Sequence, residues 1–253
     1  MRLIARIEAK GSRAVKGVRL DGIRQIGDPV EMAARYEDAG ADEIQYQDVV
    51  ASLYGREPDY AAIERVASAI HIPLVVGGGI TTVEQARRII GIGCERISIN
   101  SAALRDEDLL PEMAEALGAS SITLHVEAKR AGNRWRCYAD GGREDMQRDV
   151  GSWIEEASKY CAEVVVQSVD QDGTCEGFDI PLVRHAMAVA RGCGVVALGG
   201  MGSIAHLRDV SAVPNLAGIA WARALHEGKV EFYHARTAMR RWGLNVRGPE
   251  VCL

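Results

Sequence analysis

Short apolar runs rich in β-branched residues alternate along the chain with longer segments whose apolar positions recur at helical spacing. This is the pattern of repeated strand–helix units built around a parallel sheet. Eight strands are expected, at Leu3 to Glu8, Glu43 to Asp48, Pro73 to Val76, Arg96 to Ile99, Ser121 to Glu127, Glu163 to Ser168, Gly194 to Leu198 and Gly218 to Ala222. The intervening helices carry their own boundary signals. Asp28-Pro29 places an N-cap before a proline at the first helical position, and Gly40 ends that segment. Thr81-Thr82-Val83-Glu84 has capping-box spacing, and the segment from Glu112 to Leu117 closes on Gly118. Eight pairs in roughly 250 residues fit a (β/α)8 barrel, whereas a doubly wound open sheet turns over with fewer strands. The predicted architecture is one (β/α)8 TIM barrel domain spanning residues 1–253.

The pattern also repeats at half-barrel offset. Glu8-Ala9-Lys10 at the end of the first strand recurs as Glu127-Ala128-Lys129 at the end of the fifth. Gly77-Gly78-Gly79 is echoed by Gly199-Gly200-Met201-Gly202, and Asp48 by Asp170. Three repeats in register imply two similar half-barrels.

Composition narrows the function classes. With 47% hydrophobic and 26% charged residues, the chain reads as an ordinary soluble globular protein. Its net charge of -5, from 35 acidic and 30 basic residues, gives no general footprint for nucleic acid. The N-terminal segment is interrupted by charge every few residues and no apolar run reaches about 18 residues, so neither a secretion signal nor a membrane span is expected. Six cysteines, at 94, 137, 161, 175, 193 and 252, show no zinc spacing and no disulfide framework. They read as reduced thiols of a cytoplasmic protein, with no metal and no cofactor implied.

Barrel chemistry is assembled at the C-terminal ends of the strands. The glycine turns containing Gly78-Gly79 and Gly199-Gly200 lead into helices, where free backbone N–H groups and the helix dipole favour a phosphate. Asn100-Ser101 extends the first cradle, and Asp172-Gly173-Thr174 the second. An elongated ligand with two phosphates would bridge them, although glycines at such turns also serve tight chain reversal. Between the cradles stand Glu8 and Glu127, a candidate general acid and general base. Lys10 and Lys129 are candidates for holding phosphate or substrate hydroxyls, or are surface lysines. Gln45, Gln47, His125 and Gln167 are expected to point into the barrel, where polar groups need partners.

These residues resemble the cyclase subunit of imidazole glycerol phosphate synthase, a histidine-pathway barrel related to the ProFAR isomerase. The resemblance covers almost the whole chain and rests on Gly27-Asp28-Pro29-Val30 with Gly40-Ala41-Asp42-Glu43, then VGGGI at 76–80, SINSAA at 98–103, EAKR at 127–130 and SVDQDGT at 168–174. It implies a cyclase that takes the open-chain ribulosyl phosphate PRFAR and ammonia, with the ammonia delivered by a glutaminase subunit at the N-terminal barrel face. It further implies phosphate-binding backbone near Ala222 and Arg223, and an ammonia gate formed by Arg2, Glu43, Arg96 and Glu163.

The chain departs from that family in three places. The two catalytic aspartates are matched here by Glu8 and Glu127, each a methylene longer. One C–C bond moves a carboxylate by about 1.5 Å, and a displacement near 1 Å can cost on the order of 100-fold in rate. The four inward polar residues stand where the family's channel is mostly apolar. Ala222 to Gly228 resembles the isomerase branch. The open alternatives are therefore a diverged paralogue with another substrate, a ProFAR-type isomerase, and a non-catalytic barrel that binds a glutaminase.

Overall fold

The structure is a computed structural model that describes residues 1–246. From the N terminus, β1 (Arg2–Lys10) runs into an antiparallel hairpin of β2 (Arg13–Val18) and β3 (Asp21–Gly27), followed by α1 (Pro29–Asp38) and β4 (Glu43–Asp48). Next come α2 (Tyr60–Ser68), β5 (Leu74–Gly77), α3 (Val83–Gly91), β6 (Arg96–Ile99), α4 (Ser101–Arg105) and α5 (Leu109–Leu117). The second half opens with β7 (Ile122–Ala131) and its own hairpin, β8 (Arg134–Ala139) and β9 (Glu144–Asp149), then α6 (Val150–Ala157) and β10 (Glu163–Ser168). It ends with α7 (Ile180–Val189), β11 (Gly194–Leu198), α8 (Ile204–Ser211), β12 (Gly218–Trp221), α9 (Arg223–His226) and α10 (Phe232–Arg241).

Parallel pairing runs β10-β11-β12-β1-β4-β5-β6-β7, and β7 pairs back to β10, so eight strands close a (β/α)8 barrel. All eight predicted strands are present. Four further strands, those of the two hairpins, were not expected. β3 is mostly exposed and β9 lacks fully buried residues, so neither carries an alternating apolar signal. The β2–β3 turn adds a second reason. Arg19 and Leu20 both have positive φ, 54° and 59°, where hairpin turns ordinarily announce themselves by Asn or Gly.

The helix signals hold with one shift. Asp28 caps α1, accepting from Val30 N and Glu31 N. Thr82 rather than Thr81 caps α3, and Gln85 rather than Glu84 reaches back, accepting from Thr81 N. Among the described residues the cysteines at 94, 137, 161, 175 and 193 are free thiols; Cys252 lies outside them.

Period-two alternation sorts the strand residues onto two surfaces. Leu3, Ala5 and Ile7 of β1 pack under the helices in the main core. Their neighbours Ile4, Arg6 and Glu8 are equally buried but face the lumen, where Ile4 meets Val165, Val196, Leu198 and Ala220 in a small apolar cluster. That cluster fills one side of the lumen. The other side, built by β4, β6 and β7, carries Gln45, Ser98, Thr123 and His125.

At the barrel bottom, Asp42 accepts from Leu3 N at 2.8 Å and from Arg236 Nη2 at 3.1 Å, joining α10 to β1. Both side chains are 6% exposed, so removing the cation leaves a buried, uncompensated carboxylate. Arg236→Met is expected to lower unfolding free energy by about 3 kcal/mol, measured by urea denaturation, whereas substitution of the exposed Arg241 by Met should change it little.

Candidate active site

β1 and β7 bring the two predicted carboxylates to the mouth of the barrel in different surroundings. Glu8 is 1% exposed, and Lys16 Nζ donates to both of its oxygens, at 2.8 and 2.9 Å. Lys16, supplied by β2, also donates to Asp172 Oδ2 at 2.7 Å, so one buried ammonium joins two carboxylates. Among the described residues Glu127 has no cation in contact. Its Oε2 accepts from Gly142 N at 2.7 Å, in the loop joining β8 to β9. Burial pushes the Glu127 carboxyl up to about 7, with the Gly142 hydrogen bond and Arg6 opposing. Burial also raises Glu8, and Lys16 is the main opposing influence.

A third carboxylate is tied into the same network. Gln167 Nε2 donates to Asp172 Oδ1 at 3.1 Å, and Gln167 Oε1 faces His125 Nε2 at 2.7 Å. Asp172 as a carboxylate can only accept, which orients the amide and makes His125 Nε2 the protonated nitrogen. Burial and Arg6 push the His125 imidazolium down to about 3, so the ring is neutral. Gln45, His125 and Gln167 are buried, and Gln47 is half-buried on the cavity wall. The inward reading of all four agrees with this placement.

A cavity of about 520 Å³ lies over β1, β4, β5, β6 and β7, lined by Arg6, Gln47, Gly78, Gly79, Ser98, Asn100, Ser101, Glu127 and Gln167 among others. It contains the first glycine cradle and reaches down to Glu127. The second cradle, around Asp172, Gly173, Gly199, Gly200, Ala222 and Arg223, encloses only about 10 Å³, since the β2–β3 hairpin lies against it. Arg19 N donates to Asp172 O there, and Arg223 Nη1 to Gly173 O.

The glycines at both turns are also needed by the backbone. Gly79 and Gly200 have φ of 76° and 104°, and a Cβ would come within 2.4 Å of Arg56 O or 1.9 Å of Gly177 O. Their replacement would disturb the turn itself. Several polar side chains of the predicted cradles are engaged by protein. Asn100 Nδ2 donates to Tyr138 O, Ser101 Oγ accepts from Asp140 N, and Thr174 Oγ1 donates to Gln171 O. Lys129 Nζ donates to Gly142 O and lies over the Tyr138 ring, while Lys10 is exposed on the rim.

Two site residues escaped the sequence reading. Lys16 sits in the unrecognised hairpin. Arg6 was recoverable, because alternation from Glu8 puts it on the same face. At the opposite end, Arg2, Glu43, Arg96 and Glu163 form one closed ring of alternating charge. Arg2 pairs with Glu43 at 2.6 Å and with Glu163, and Arg96 with Glu43 at 2.7 Å and Glu163 at 3.5 Å.

These features define a (β/α)8 barrel with a charged lumen opening into a large cavity at the C-terminal strand ends. The chain belongs to the histidine biosynthesis protein family, whose sequence pattern matches residues 2–231. It is similar to imidazole glycerol phosphate synthase subunit HisF of Myxococcus xanthus, 39% identical over 247 residues that cover 97% of each chain. The same-named protein of Pyrococcus furiosus is 38% identical over 247 residues, 97% of this chain and 98% of that one. That of Campylobacter concisus is 36% identical over 97% of each chain.

The raised Glu127 carboxyl makes stability depend on pH. The unfolded chain releases this proton near 4.5 and the folded chain near 7, so stability falls as pH rises through that window. Glu127→Gln should flatten this dependence, gaining on wild type by about 2 kcal/mol between about pH 5 and about pH 8, read from denaturation midpoints.

Proposed function

We propose that the chain is a cyclase of the imidazole glycerol phosphate synthase type. It adds ammonia to a phosphorylated carbonyl substrate, PRFAR or a close relative, with Glu8 and Glu127 as the acid and base pair. The observation that carries this reading is the unequal environment of the two strand-end carboxylates. Glu8, with Lys16 against both oxygens, is the group set to hold negative charge and accept a proton from the incoming nitrogen. Glu127, with no cation in contact, is the group set to hold a proton near neutrality and give it to the departing oxygen or nitrogen. The glycine turns at Gly78-Gly79 and Gly199-Gly200 supply backbone N–H groups for the substrate's two phosphates. Occupation of the second cradle then requires the β2–β3 hairpin to move away, since only about 10 Å³ is open there.

The ring of Arg2, Glu43, Arg96 and Glu163 closes the opposite end of the lumen, and in this reading it is the entry for ammonia from a glutaminase partner docked on that face. The names of the relatives support a subunit of a larger synthase, and the proposal extends this to a cytoplasmic heterodimer. No helix among the described residues is long and apolar enough to cross a membrane.

The decisive assay is turnover of PRFAR with ammonium salt by the pure chain. Glu8→Gln and Glu127→Gln should each lose about 100-fold or more in kcat while still binding the phosphorylated ligand. Full activity in both variants would end the acid and base assignment. In the presence of a glutaminase partner, Arg96→Ala should alter glutamine-supported turnover more than ammonium-supported turnover, a difference that equal losses in the two assays would contradict.

A further inference from the structure

Arg6 stands out among the charged groups of the lumen. It is 2% exposed, its Nε is buried without a partner, and among the described residues its guanidinium forms no ion pair and no side-chain hydrogen bond. Glu8, Asp172 and Glu127 attract it through space, but Lys16 takes Glu8 and Asp172 in direct contact, and the one hydrogen bond to Glu127 comes from Gly142 N, to Oε2. The open space that Arg6 borders is the 520 Å³ cavity, beside Gln47, Ser98, Glu127 and Gln167. Gln47 Oε1, on the same wall, is a buried acceptor also left without a partner.

A buried guanidinium whose donors have no protein acceptor needs an acceptor from elsewhere. Its planar fork matches a carboxylate in bidentate fashion. An acceptor such as Gln47 Oε1 suits a hydroxyl next to that carboxylate. The first glycine cradle lies in the same cavity, so one ligand can reach both ends.

We propose that Arg6 is a substrate-binding and specificity-determining residue that takes a carboxylate on the inner end of the ligand, so that the relative of PRFAR this site accepts carries a carboxylate as well as its phosphate. The proposal rests on the reading of the cavity as the substrate site. It accounts for the lumen of this chain being polar on the side where Arg6 and Gln47 meet the cavity. It also gives the longer carboxylates Glu8 and Glu127 a reason, since a ligand held by a guanidinium two residues before Glu8 on the same strand face has its reacting part in a different place.

The test is titration calorimetry with pairs of probes that share a phosphate and a chain length and differ in one terminal group. The pairs are 3-phosphoglycerate against glycerol 3-phosphate, 4-phosphoerythronate against erythritol 4-phosphate, and 5-phosphoribonate against ribitol 5-phosphate, with inorganic phosphate as the common control. In at least one pair the acid should bind about 10-fold or more tightly than the alcohol. Arg6→Gln should bring the two members of that pair within about twofold. Arg6→Lys, which keeps the charge but loses the fork, should leave an intermediate preference. If inorganic phosphate binds but every acid matches its alcohol, the Arg6 assignment is wrong and the cavity reading survives. A preference for the acid that persists unchanged in Arg6→Gln also overturns the assignment. If neither phosphate nor any probe binds, the cavity reading fails and the Arg6 assignment falls with it.

Discussion

Charge buried inside a closed barrel is the constraint on which the rest of this structure depends. A carboxylate or guanidinium taken out of water is tolerated only when paired or hydrogen-bonded, and each end of this lumen meets that demand differently. At the bottom, four charges cancel in a closed ring of ion pairs between the first residues of β1, β4, β6 and β10. At the top, Lys16 serves two carboxylates at once, and its backbone belongs to a hairpin outside the barrel. The hairpin is thereby fastened to the rim by a buried contact as well as by its strand pairing with β1. Glu127 and Arg6 are the exceptions. Among the described residues, one carboxyl lacks a contacting cation and one cation lacks a contacting acceptor, and both border the cavity.

The half-barrel repeat explains how similar halves come to different chemistry. β1 and β7 each end in Glu-Ala-Lys and each continues into an antiparallel hairpin. From the first hairpin a lysine turns inward to Glu8. From the second, only a backbone N–H reaches Glu127, and Lys129 is drawn off to Gly142 O and the Tyr138 ring. The same scaffold thus holds one carboxylate against a cation and the other against a neutral donor, and gives two identical groups different electrostatic surroundings.

Much of this was legible in the sequence because it depends on periodicity. Short apolar runs set between amphipathic segments located every barrel strand, and the four expected spans beginning at Glu43, Arg96, Glu163 and Gly194 coincide with β4, β6, β10 and β11. The inward placement of Gln45, Gln47, His125 and Gln167 agrees with the two-residue period along those strands. The hairpins did not show, because their outer strands β3 and β9 have no buried face and the Arg19-Leu20 turn lacks the residues that signal positive φ, which left the more buried β2 and β8 without a recognisable partner. Lys16 was lost with them. Pairing across a sequence separation of 156 residues, as between Lys16 and Asp172, has no local signature at all. The narrowness of the second glycine cradle was equally invisible, being set by where the β2–β3 hairpin comes to rest.

The central claim is that Glu8 and Glu127 differ because of what touches them. The most direct measurement is a titration of the side-chain carboxyl carbons by nuclear magnetic resonance in the full-length chain, with Glu8→Gln and Glu127→Gln used to assign the signals. The Glu127 carboxyl should titrate near 7, and the Glu8 signal should respond to Lys16→Met far more than that of Glu127. A Glu127 carboxyl that titrates in the ordinary range near 4.5, or two carboxyls that respond alike to the loss of Lys16, would contradict it.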